Sequence, residues 1–294
     1  MRMKVTLFGR ATVAQKMEQF ENVIQLLVDA GHEVLLNESL YMIQDDLQTK
    51  YNVSKINAPD DTIDYVLSLG GDGTMLEAVT WIGDKAIPIL GLNFGRLGFL
   101  TDTVASFTAD TVKRLQQGDL VVDERSMLLW SNPEGDRIQR FPHALNDITI
   151  QRAFSSSMIT IHVTIDGIPL NSYWADGLII STPTGSTGYS LSCGGPIIHP
   201  STKNIVLTPI APHNLNIRPL ILDKGVKITI EVEARDPQFL ATLDTHSILL
   251  DTSRHVEVSS SPYITKICRL QNDYFTGAIR DKLYWGIDKR NSHG

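Results

Sequence analysis

The segment YVLSLGGDGT, residues 65–74, joins an apolar run to three glycines that surround a single aspartate. Residues 65–69 have the length and apolar continuity of a strand buried on both faces of a parallel sheet. Residues 74–82 follow with the apolar spacing of a short helix. A strand, a glycine turn and a helix in direct succession are typical of an open α/β sheet, in which ligands bind beyond the carboxyl ends of the strands.

The same alternation continues on both sides of this segment. Further strands are predicted at 3–8, 32–36 and 87–90, and further helices at 13–30 and 104–117. A glycine follows each of these two helices, as is common at helix C-termini. We therefore predict a first domain at residues 1–122, with α/β architecture and a Rossmann-like parallel sheet.

After about residue 120 the pattern changes to short apolar runs of period 2 that are separated by turn signals. Residues 159–165 are the clearest of these runs, since Ile and Val alternate with polar residues. This pattern predicts an all-β, sandwich-like C-terminal domain at residues 123–272. Helical spacing returns at 273–285, and we expect the tail 273–294 to pack back on the first domain.

Composition restricts the class of partner. The 294 residues contain 26 Lys and Arg against 33 Asp and Glu, a net charge of −7, whereas nucleic-acid and membrane-surface binders need a basic field. Two cysteines without a CxxC pair exclude a disulfide framework, and no histidine spacing predicts a metal site. The first apolar run is too short for a signal peptide and no run is long enough to span a membrane, so we expect a cytoplasmic protein.

The glycine turn at residues 70–74 has two interpretations. Glycines let main-chain N–H groups approach an anion, and a helix N-terminus favours phosphate, but Asp72 would repel it unless the carboxylate bound a metal or accepted a proton. Alternatively the turn is structural, with Asp72 capping a helix that begins at Thr74. The spacing alone leaves both open. A Walker A loop is absent, and the dinucleotide fingerprint lacks its third glycine, which disfavours an ordinary NAD-dependent dehydrogenase.

A second segment, residues 176–196, runs from a strand into a loop rich in glycine and hydroxyl side chains. Such groups can bind phosphate, ribose or base edges, and Tyr189 can stack on a ring. An ordinary surface loop is the alternative, but the length of the segment favours a ligand-binding loop. The pair Asn146-Asp147 precedes a predicted strand. Taken alone, this pair is better explained as a turn. If it belongs to a site, its amide and carboxylate could bind ribose hydroxyls.

Together these segments resemble the NAD kinase family. The resemblance rests on the following stretches in this order: 70–74, 91–101, 146–147, 176–196, 208–213, 218–220 and 282–286. The GGDG turn is shared with related lipid kinases and phosphofructokinases, whereas DGLIISTPTGST at 176–187 is highly specific.

The resemblance implies ATP-dependent phosphorylation of the adenosine ribose 2′-hydroxyl of NAD to give NADP, in a cleft between the two domains. It also implies Mg²⁺ delivered with ATP, and a homodimer or homotetramer. Asp72 would accept the proton, while Gly70, Gly71, Gly73 and Thr74 would contact phosphates. The other implied NAD contacts are Asn146, Asp147 and Asp176 for carboxamide and ribose, Thr187, Gly188, Tyr189, Ser190, Leu191 and Ser192 for adenine, and the weaker pocket positions Ser157, Trp174 and His246.

Two residues depart from the family pattern, because Asp147 replaces a frequent Glu and Gly188 replaces the more usual Ala. The cation that holds the triphosphate stays open among Arg10, Arg96, Arg152 and Arg218. So do the phosphoryl donor and the choice between NAD and NADH. The alternative functions are a lipid or sugar kinase with the same turn and a nucleotide-sensing module that binds NAD(P) without turnover.

Overall fold

The computed structural model describes residues 2–43, 46–95, 98–131, 141–154, 157–270 and 274–283. These residues form two compact units. The first contains the described residues up to Asp123 together with those from Lys266 onward, and the second spans Glu124–Thr265. No helix within the described ranges is long and apolar enough to cross a membrane.

The regular elements are numbered in chain order. The strands are β1 (Lys4–Gly9), β2 (Glu33–Asn37), β3 (Ser54–Ile56), β4 (Tyr65–Leu69), β5 (Ile89–Asn93), β6 (Asp102–Thr103), β7 (Val121–Ser131), β8 (His143–Ala144), β9 (Asp147–Arg152), β10 (Ile159–Ile165), β11 (Ile168–Ala175), β12 (Gly177–Ser181), β13 (Asn204–Ile210), β14 (Leu220–Asp223), β15 (Ile228–Glu233), β16 (Gln238–Leu243), β17 (His246–Asp251) and β18 (Val256–Arg269). The helices are α1 (Met17–Asp29), α2 (Glu38–Tyr41), α3 (Leu47–Tyr51), α4 (Asp72–Ile82), α5 (Ala109–Gln117), α6 (Tyr189–Ser192) and α7 (Tyr274–Leu283).

The first unit is built on a parallel sheet with the strand order β3-β2-β1-β4-β5-β6, which confirms the predicted α/β class. Its central strands are apolar on both faces: Val5, Leu7, Val66 and Leu67 are all fully buried. Helix α1 buries the apolar stripe whose spacing predicted it. Because β4 lies between β1 and β5, its carboxyl end places the glycine turn at the edge where ligands bind in such sheets.

Two predicted elements of this unit, one helix and one strand, have different bounds in the structure. Helix α5 begins at Ala109 rather than at residue 104, because Thr108 forms a capping box with Thr111 and thereby fixes the first turn. Strand β5 runs from Ile89 to Asn93 rather than from 87 to 90. The extension carries the strand to Asn93, whose amide lies beside the glycine turn.

The second unit contains two antiparallel layers. One has the order β14-β13-β12-β9-β16-β17, and the other contains β11, β10, β15 and the first part of β18. Alternate residues of β10 are buried, as its period-2 sequence predicted, and they share one apolar core with Ile148 and Ile180 of the other layer. The sandwich-like fold is thereby confirmed. The chain passes from one unit to the other inside β7 and returns inside β18.

Candidate active site

The glycine turn between β4 and α4 is packed too tightly to accept a side chain at Gly70. This residue has φ +157°, and an added Cβ would lie 2.4 Å from Thr74 Oγ1. Helix α4 begins at Asp72, with Gly71 at the N-cap position and no side-chain cap. The alternative in which Asp72 caps a helix beginning at Thr74 is therefore wrong. Asp72 belongs to the first turn of the helix, which leaves its carboxylate available for other contacts.

That carboxylate is held by the segment that follows β5. Oδ2 accepts the N–H of Phe99 at 2.9 Å, while Oδ1 accepts the N–H of Leu100 and the hydroxyl of Thr101, each at 3.1 Å. A Cβ on Gly98 would lie 2.0 Å from Asp72 Oδ1, so the segment approaches closely only because residue 98 is glycine. The three hydrogen bonds and the close contact with Gly98 fix the Asp72 carboxylate relative to the sheet edge. Sequence reasoning quoted 91–101 as part of a resemblance but gave it no role.

Two basic residues from the C-terminal part of the chain complete this arrangement. Lys282 Nζ, on α7, lies 3.9 Å from Asp72 Oδ2 and 4.6 Å from the ring centroid of Phe99. Burial lowers the pKa of Lys282, and the Asp72 carboxylate partly opposes this shift. Arg269 is only 1% exposed and donates to the carbonyls of Leu100 at 3.0 Å and Phe99 at 3.4 Å. Both residues are in the first unit, although they follow Asp72 by about two thirds of the chain.

The start of α4 offers donors to an anion. The first N–H groups of a helix, here those of Asp72 and Gly73, have no acceptor within the helix, and the helix dipole favours negative charge beside them. A Cβ on Gly73 would meet nothing within 4 Å, and one on Gly71 would meet only Asn93 Nδ2 at 3.6 Å. Protein packing does not require glycine at these two positions, which leaves space in front of the helix for a ligand.

A second group of predicted residues surrounds the start of β9. The carboxylate of Asp244, in the turn between β16 and β17, accepts the N–H groups of three consecutive residues: Leu145 at 2.7 Å, Asn146 at 2.8 Å and Asp147 at 3.0 Å. Asp244 has φ +51°, and its own N–H donates to the carbonyl of Asp147 at 3.0 Å. This contact fixes the Asn146-Asp147 backbone. Sequence reasoning missed Asp244, because nothing in a short turn indicates a partner about 100 residues earlier.

Two carboxylates are thus placed close together in a poorly hydrated environment. Burial raises the pKa of Asp147 to about 6, although a hydrogen bond from Thr149 Oγ1 at 3.0 Å opposes the shift. Burial and then the charge of Asp147 raise the pKa of Asp244 to about 7, against its three N–H donors. Asn146 Oδ1 is buried and has no hydrogen-bond partner within the part of the chain that the structure describes. An unpartnered buried acceptor is costly, and a ligand donor would satisfy it.

The glycine- and hydroxyl-rich loop packs directly against Asn146-Asp147. Thr182 donates its N–H to the carbonyl of Asn146 at 2.9 Å, and a Cβ on Gly185 would lie 2.1 Å from that same carbonyl oxygen. A Cβ on Gly188 would lie 3.6 Å from Asn146 Nδ2 and 4.0 Å from Asp147 Oδ2. The structure therefore brings together Asn146, Asp147 and Gly188, which are predicted site residues about 40 positions apart.

The residues on both sides of Gly188 differ in solvent exposure. Tyr189 is 41% exposed, and its hydroxyl accepts a hydrogen bond from Gln151 Nε2 at 2.9 Å, so the ring is held in place with a free surface. Ser190 is fully buried, with its hydroxyl 2.8 Å from Thr208 Oγ1. Thr187 donates its hydroxyl to the carbonyl of Thr184 at 3.3 Å. Leu191 is half-buried and Ser192 is exposed, so the accessible surface of this stretch lies at Tyr189 and Ser192.

Four predicted residues have other surroundings. Asp176 Oδ1 pairs with Arg152 Nε at 2.9 Å. The half-exposed ring of Trp174 lies against His213, with the centroids 4.2 Å apart. His246 is exposed and follows the Asp244 turn, and Ser157 is half-buried.

The remaining candidate cations are also placed, except for Arg96, which lies outside the described residues. Arg10 pairs with Glu77, and Arg218 donates to the carbonyls of Leu215 and Ile217.

Cys193 and Cys268 are both free. Within the described ranges no group of His, Cys, Asp or Glu has the arrangement of a metal site. Among the described residues, Lys282 is the cation that lies at ion-pair distance from Asp72; sequence reasoning quoted 282–286 as part of the resemblance but did not count Lys282 among the candidate cations.

Comparison with known families agrees with this arrangement of motifs. Residues 5–120 match the family model of the ATP-NAD kinase N-terminal domain, and residues 145–270 match that of the ATP-NAD kinase C-terminal domain. The chain belongs to the ATP-NAD kinase family. An NAD kinase of Cytophaga hutchinsonii is 40% identical over 296 residues, covering 97% of this chain and 99% of that protein. An NAD kinase of Bacteroides fragilis is 40% identical over 292 residues, covering 98% and 100%.

Solved structures of this ATP-NAD kinase fold are also similar. The yeast NADH kinase complexed with NADH has a TM-score of 0.87 at 24% identity, covering 99% of this chain and 90% of that chain. An NAD kinase from Archaeoglobus fulgidus in complex with ATP has a TM-score of 0.72 at 23% identity, covering 94% and 96%. At these identities the likeness supports the fold, and the family assignment rests on the sequence matches.

Proposed function

We propose that this chain is an NAD kinase, which transfers the γ-phosphate of ATP to the 2′-hydroxyl of the adenosine ribose of NAD. The observation that carries the proposal is the Asp72 carboxylate, held by three donors beside the open N-terminus of α4, in a chain of the ATP-NAD kinase family. This arrangement supports a fixed proton acceptor and main-chain phosphate donors at one sheet edge.

The transfer needs positioning and charge stabilisation more than covalent chemistry by the protein. The 2′-oxygen attacks the γ-phosphorus in line, the bond from phosphorus to the β,γ-bridging oxygen breaks, and ADP leaves. Asp72 accepts the hydroxyl proton late in the step, when the new bond has made that hydroxyl acidic. The first N–H groups of α4 face the phosphate oxygens. Mg²⁺ enters as part of the substrate Mg-ATP.

The second unit supplies recognition of NAD in this proposal. The unpartnered Asn146 Oδ1 accepts a donor from the substrate, and Asp147 accepts ribose hydroxyls. At pH 7 the carboxyl of Asp147, with its pKa near 6, is mostly ionised and can accept two hydrogen bonds. The exposed face of Tyr189 stacks on adenine, and Asp244 keeps Asn146-Asp147 in position through the three N–H bonds. A cytoplasmic location and assembly into a homodimer or homotetramer remain part of the proposal.

The test is NADP formation from NAD and Mg-ATP by the wild type and by Asp72→Asn. Asparagine keeps the shape but cannot take the proton, so we expect kcat to fall by about 10²- to 10⁴-fold. Asp110→Asn, at an exposed position in the first turn of α5, is the matched control and should keep the wild-type rate. A wild-type rate in Asp72→Asn would refute the role of Asp72.

The same assay separates the other functions. Phosphorylation of a diacylglycerol or sphingoid base in place of NAD would indicate a lipid kinase. Binding of NAD or NADP by the wild type without turnover would indicate a sensing module. Replacing ATP by another nucleoside triphosphate or by polyphosphate, and NAD by NADH, defines the donor and acceptor range.

A further inference from the structure

Lys282 is a partly buried cation that lies beside the Asp72 carboxylate without a hydrogen bond to it. Its side chain is only 25% exposed, and burial lowers its pKa. The distance of 3.9 Å to Asp72 Oδ2 is longer than a hydrogen bond, and the ring of Phe99 at 4.6 Å offers only a cation–π contact. Among the described residues, Nζ has no hydrogen-bond acceptor. Asp72 therefore gives Nζ a long ion pair, and the N–H donors of Nζ are left to hydrogen-bond an anionic ligand that comes beside this carboxylate.

The transferring phosphate is an anion that must come to this place if the proposed function holds. Asp72 can take the 2′-proton only when the γ-phosphate, which is attacked by the same oxygen, lies within a few ångströms of its carboxylate. Two negative groups at that separation repel each other. The N-terminus of α4 offsets part of this repulsion, but its dipole has a magnitude of about half a charge. A full positive charge beside both groups would offset the rest.

We propose that Lys282 contacts the γ-phosphate of ATP beside Asp72, so that helix α7 contributes a catalytic residue to phosphoryl transfer. Lys282 stays protonated throughout: the proton moves from the 2′-hydroxyl to Asp72, the 2′-oxygen bonds to phosphorus, and ADP leaves with the electrons of the broken bond. Phe99 fixes both partners, because its N–H binds Asp72 and its ring lies under Nζ. The inference rests on the proposed function for its substrate.

The test compares binding of two nucleotides that differ by the γ-phosphate. Affinities for Mg-AMP-PNP, a non-hydrolysable ATP analogue, and for Mg-ADP are measured by calorimetry on the wild type, Lys282→Met, Lys282→Arg and Lys113→Met. Lys113 is an exposed lysine of α5 and serves as the matched control. We expect Lys282→Met to weaken AMP-PNP binding at least tenfold while ADP binding stays within twofold of wild type. Lys282→Arg should restore most of the difference.

Steady-state kinetics give the second readout. Loss of a charge that faces the transferring group should lower kcat of Lys282→Met by about 10²-fold or more, with KM for NAD within threefold of wild type. Equal loss of AMP-PNP and ADP binding, or unchanged values for both nucleotides, would overturn the inference. If Lys282→Met is shown by its thermal midpoint to be unfolded, the comparison is made with Lys282→Gln.

The proposed function and this inference fail in distinguishable ways. If the wild type makes no NADP, the NAD kinase assignment is wrong, but the AMP-PNP and ADP affinities still show whether Lys282 binds a terminal phosphate. If the wild type makes NADP and Lys282→Met matches it in kcat and in both affinities, only the role of Lys282 is wrong.

Discussion

Replacing Gly98 by alanine tests whether the segment 98–101 sets the position of the Asp72 carboxylate. The new Cβ would lie 2.0 Å from Asp72 Oδ1 and 2.1 Å from Thr101 Oγ1, against at least 3.4 Å for an ordinary contact. The carboxylate or the segment must therefore move by more than 1 Å. A displacement of that size breaks the hydrogen bonds from Leu100 and Thr101, which are 3.1 Å long in the native chain.

Both activity and stability should respond. A misplacement of about 1 Å at a reacting group costs about 10²-fold in rate, so kcat for NADP formation should fall by that factor. Overpacking and weakened hydrogen bonds to a charged group together should destabilise the fold by about 3 kcal/mol. In a protein of this size that corresponds to a thermal midpoint lower by about 6–12 °C. Kinetics at saturating NAD and Mg-ATP and a thermal unfolding scan measure the two effects.

Gly225→Ala is the matched control, because a Cβ there would meet nothing within 4 Å and the residue does not need a positive φ. It should match the wild type in both measurements. If Gly98→Ala kept kcat within threefold of wild type and the same thermal midpoint, the close approach of the segment would not be what holds Asp72.

The other predictions concern the Asn146-Asp147 group and the support of the Asp72 segment. In Gly185→Ala the new Cβ would lie 2.1 Å from the carbonyl oxygen of Asn146, so this variant should have a lower thermal midpoint and a higher KM for NAD. Gly188→Ala is the control, because its nearest contact would be 3.3 Å away and the change should be tolerated. Equal effects of the two substitutions would contradict this prediction. Burial raises the pKa of Asp147 to about 6, from about 3.9 in an unfolded chain. The folded state therefore binds this proton more tightly than the unfolded state does. The free energy of unfolding of the wild type consequently falls as pH rises from about 4 to about 6. Urea unfolding at pH 4 and pH 7 should show a loss of stability to which Asp147 contributes about 2–3 kcal/mol and Asp244, with its pKa raised to about 7, contributes further. The loss should be smaller in Asp147→Asn, and an identical pH dependence in both proteins would count against the role of Asp147. Arg269→Met removes the donors to the carbonyls of Leu100 and Phe99. It should lower the free energy of unfolding, measured in urea at pH 7, by about 2–4 kcal/mol, and it should also lower kcat. A stable and active variant would show that these carbonyls need no buried cation.

The secondary structure was predictable from the sequence wherever the spacing of apolar residues matches the face that the folded chain buries. The strands of the first unit follow from apolar runs, helix α1 follows from its stripe, and the period-2 alternation of β10 indicates a strand with one buried face. The short elements α2, α3 and β3 were missed because three to five residues carry too little periodicity to be recognised. Asn37, which accepts the N–H of Leu40 at 3.3 Å, was the local capping signal for α2.

The site was predictable only in part, for a different physical reason. Asp72, Asn146 and Asp147 stand in motifs, but the groups that hold them come from distant positions. Phe99, Leu100 and Thr101 act on Asp72 across about 28 residues, and Asp244 acts on Asp147 across 97 residues. Main-chain donors carry no side-chain signature, and Gly98 is required by contact with another side chain rather than by its φ. Such requirements exist only in the folded chain.

The path of the chain through β7 and β18 makes the second unit an insertion within the first. During synthesis on the ribosome, Asp72 therefore emerges long before Arg269 and Lys282. A nascent chain that stopped at residue 265, the end of the second unit, would carry the glycine turn and the whole second unit without either basic residue. Premature termination products of this length would thus lack both of the basic residues that approach Asp72 and the segment after β5, because helix α7 and the end of β18 are synthesised after the second unit.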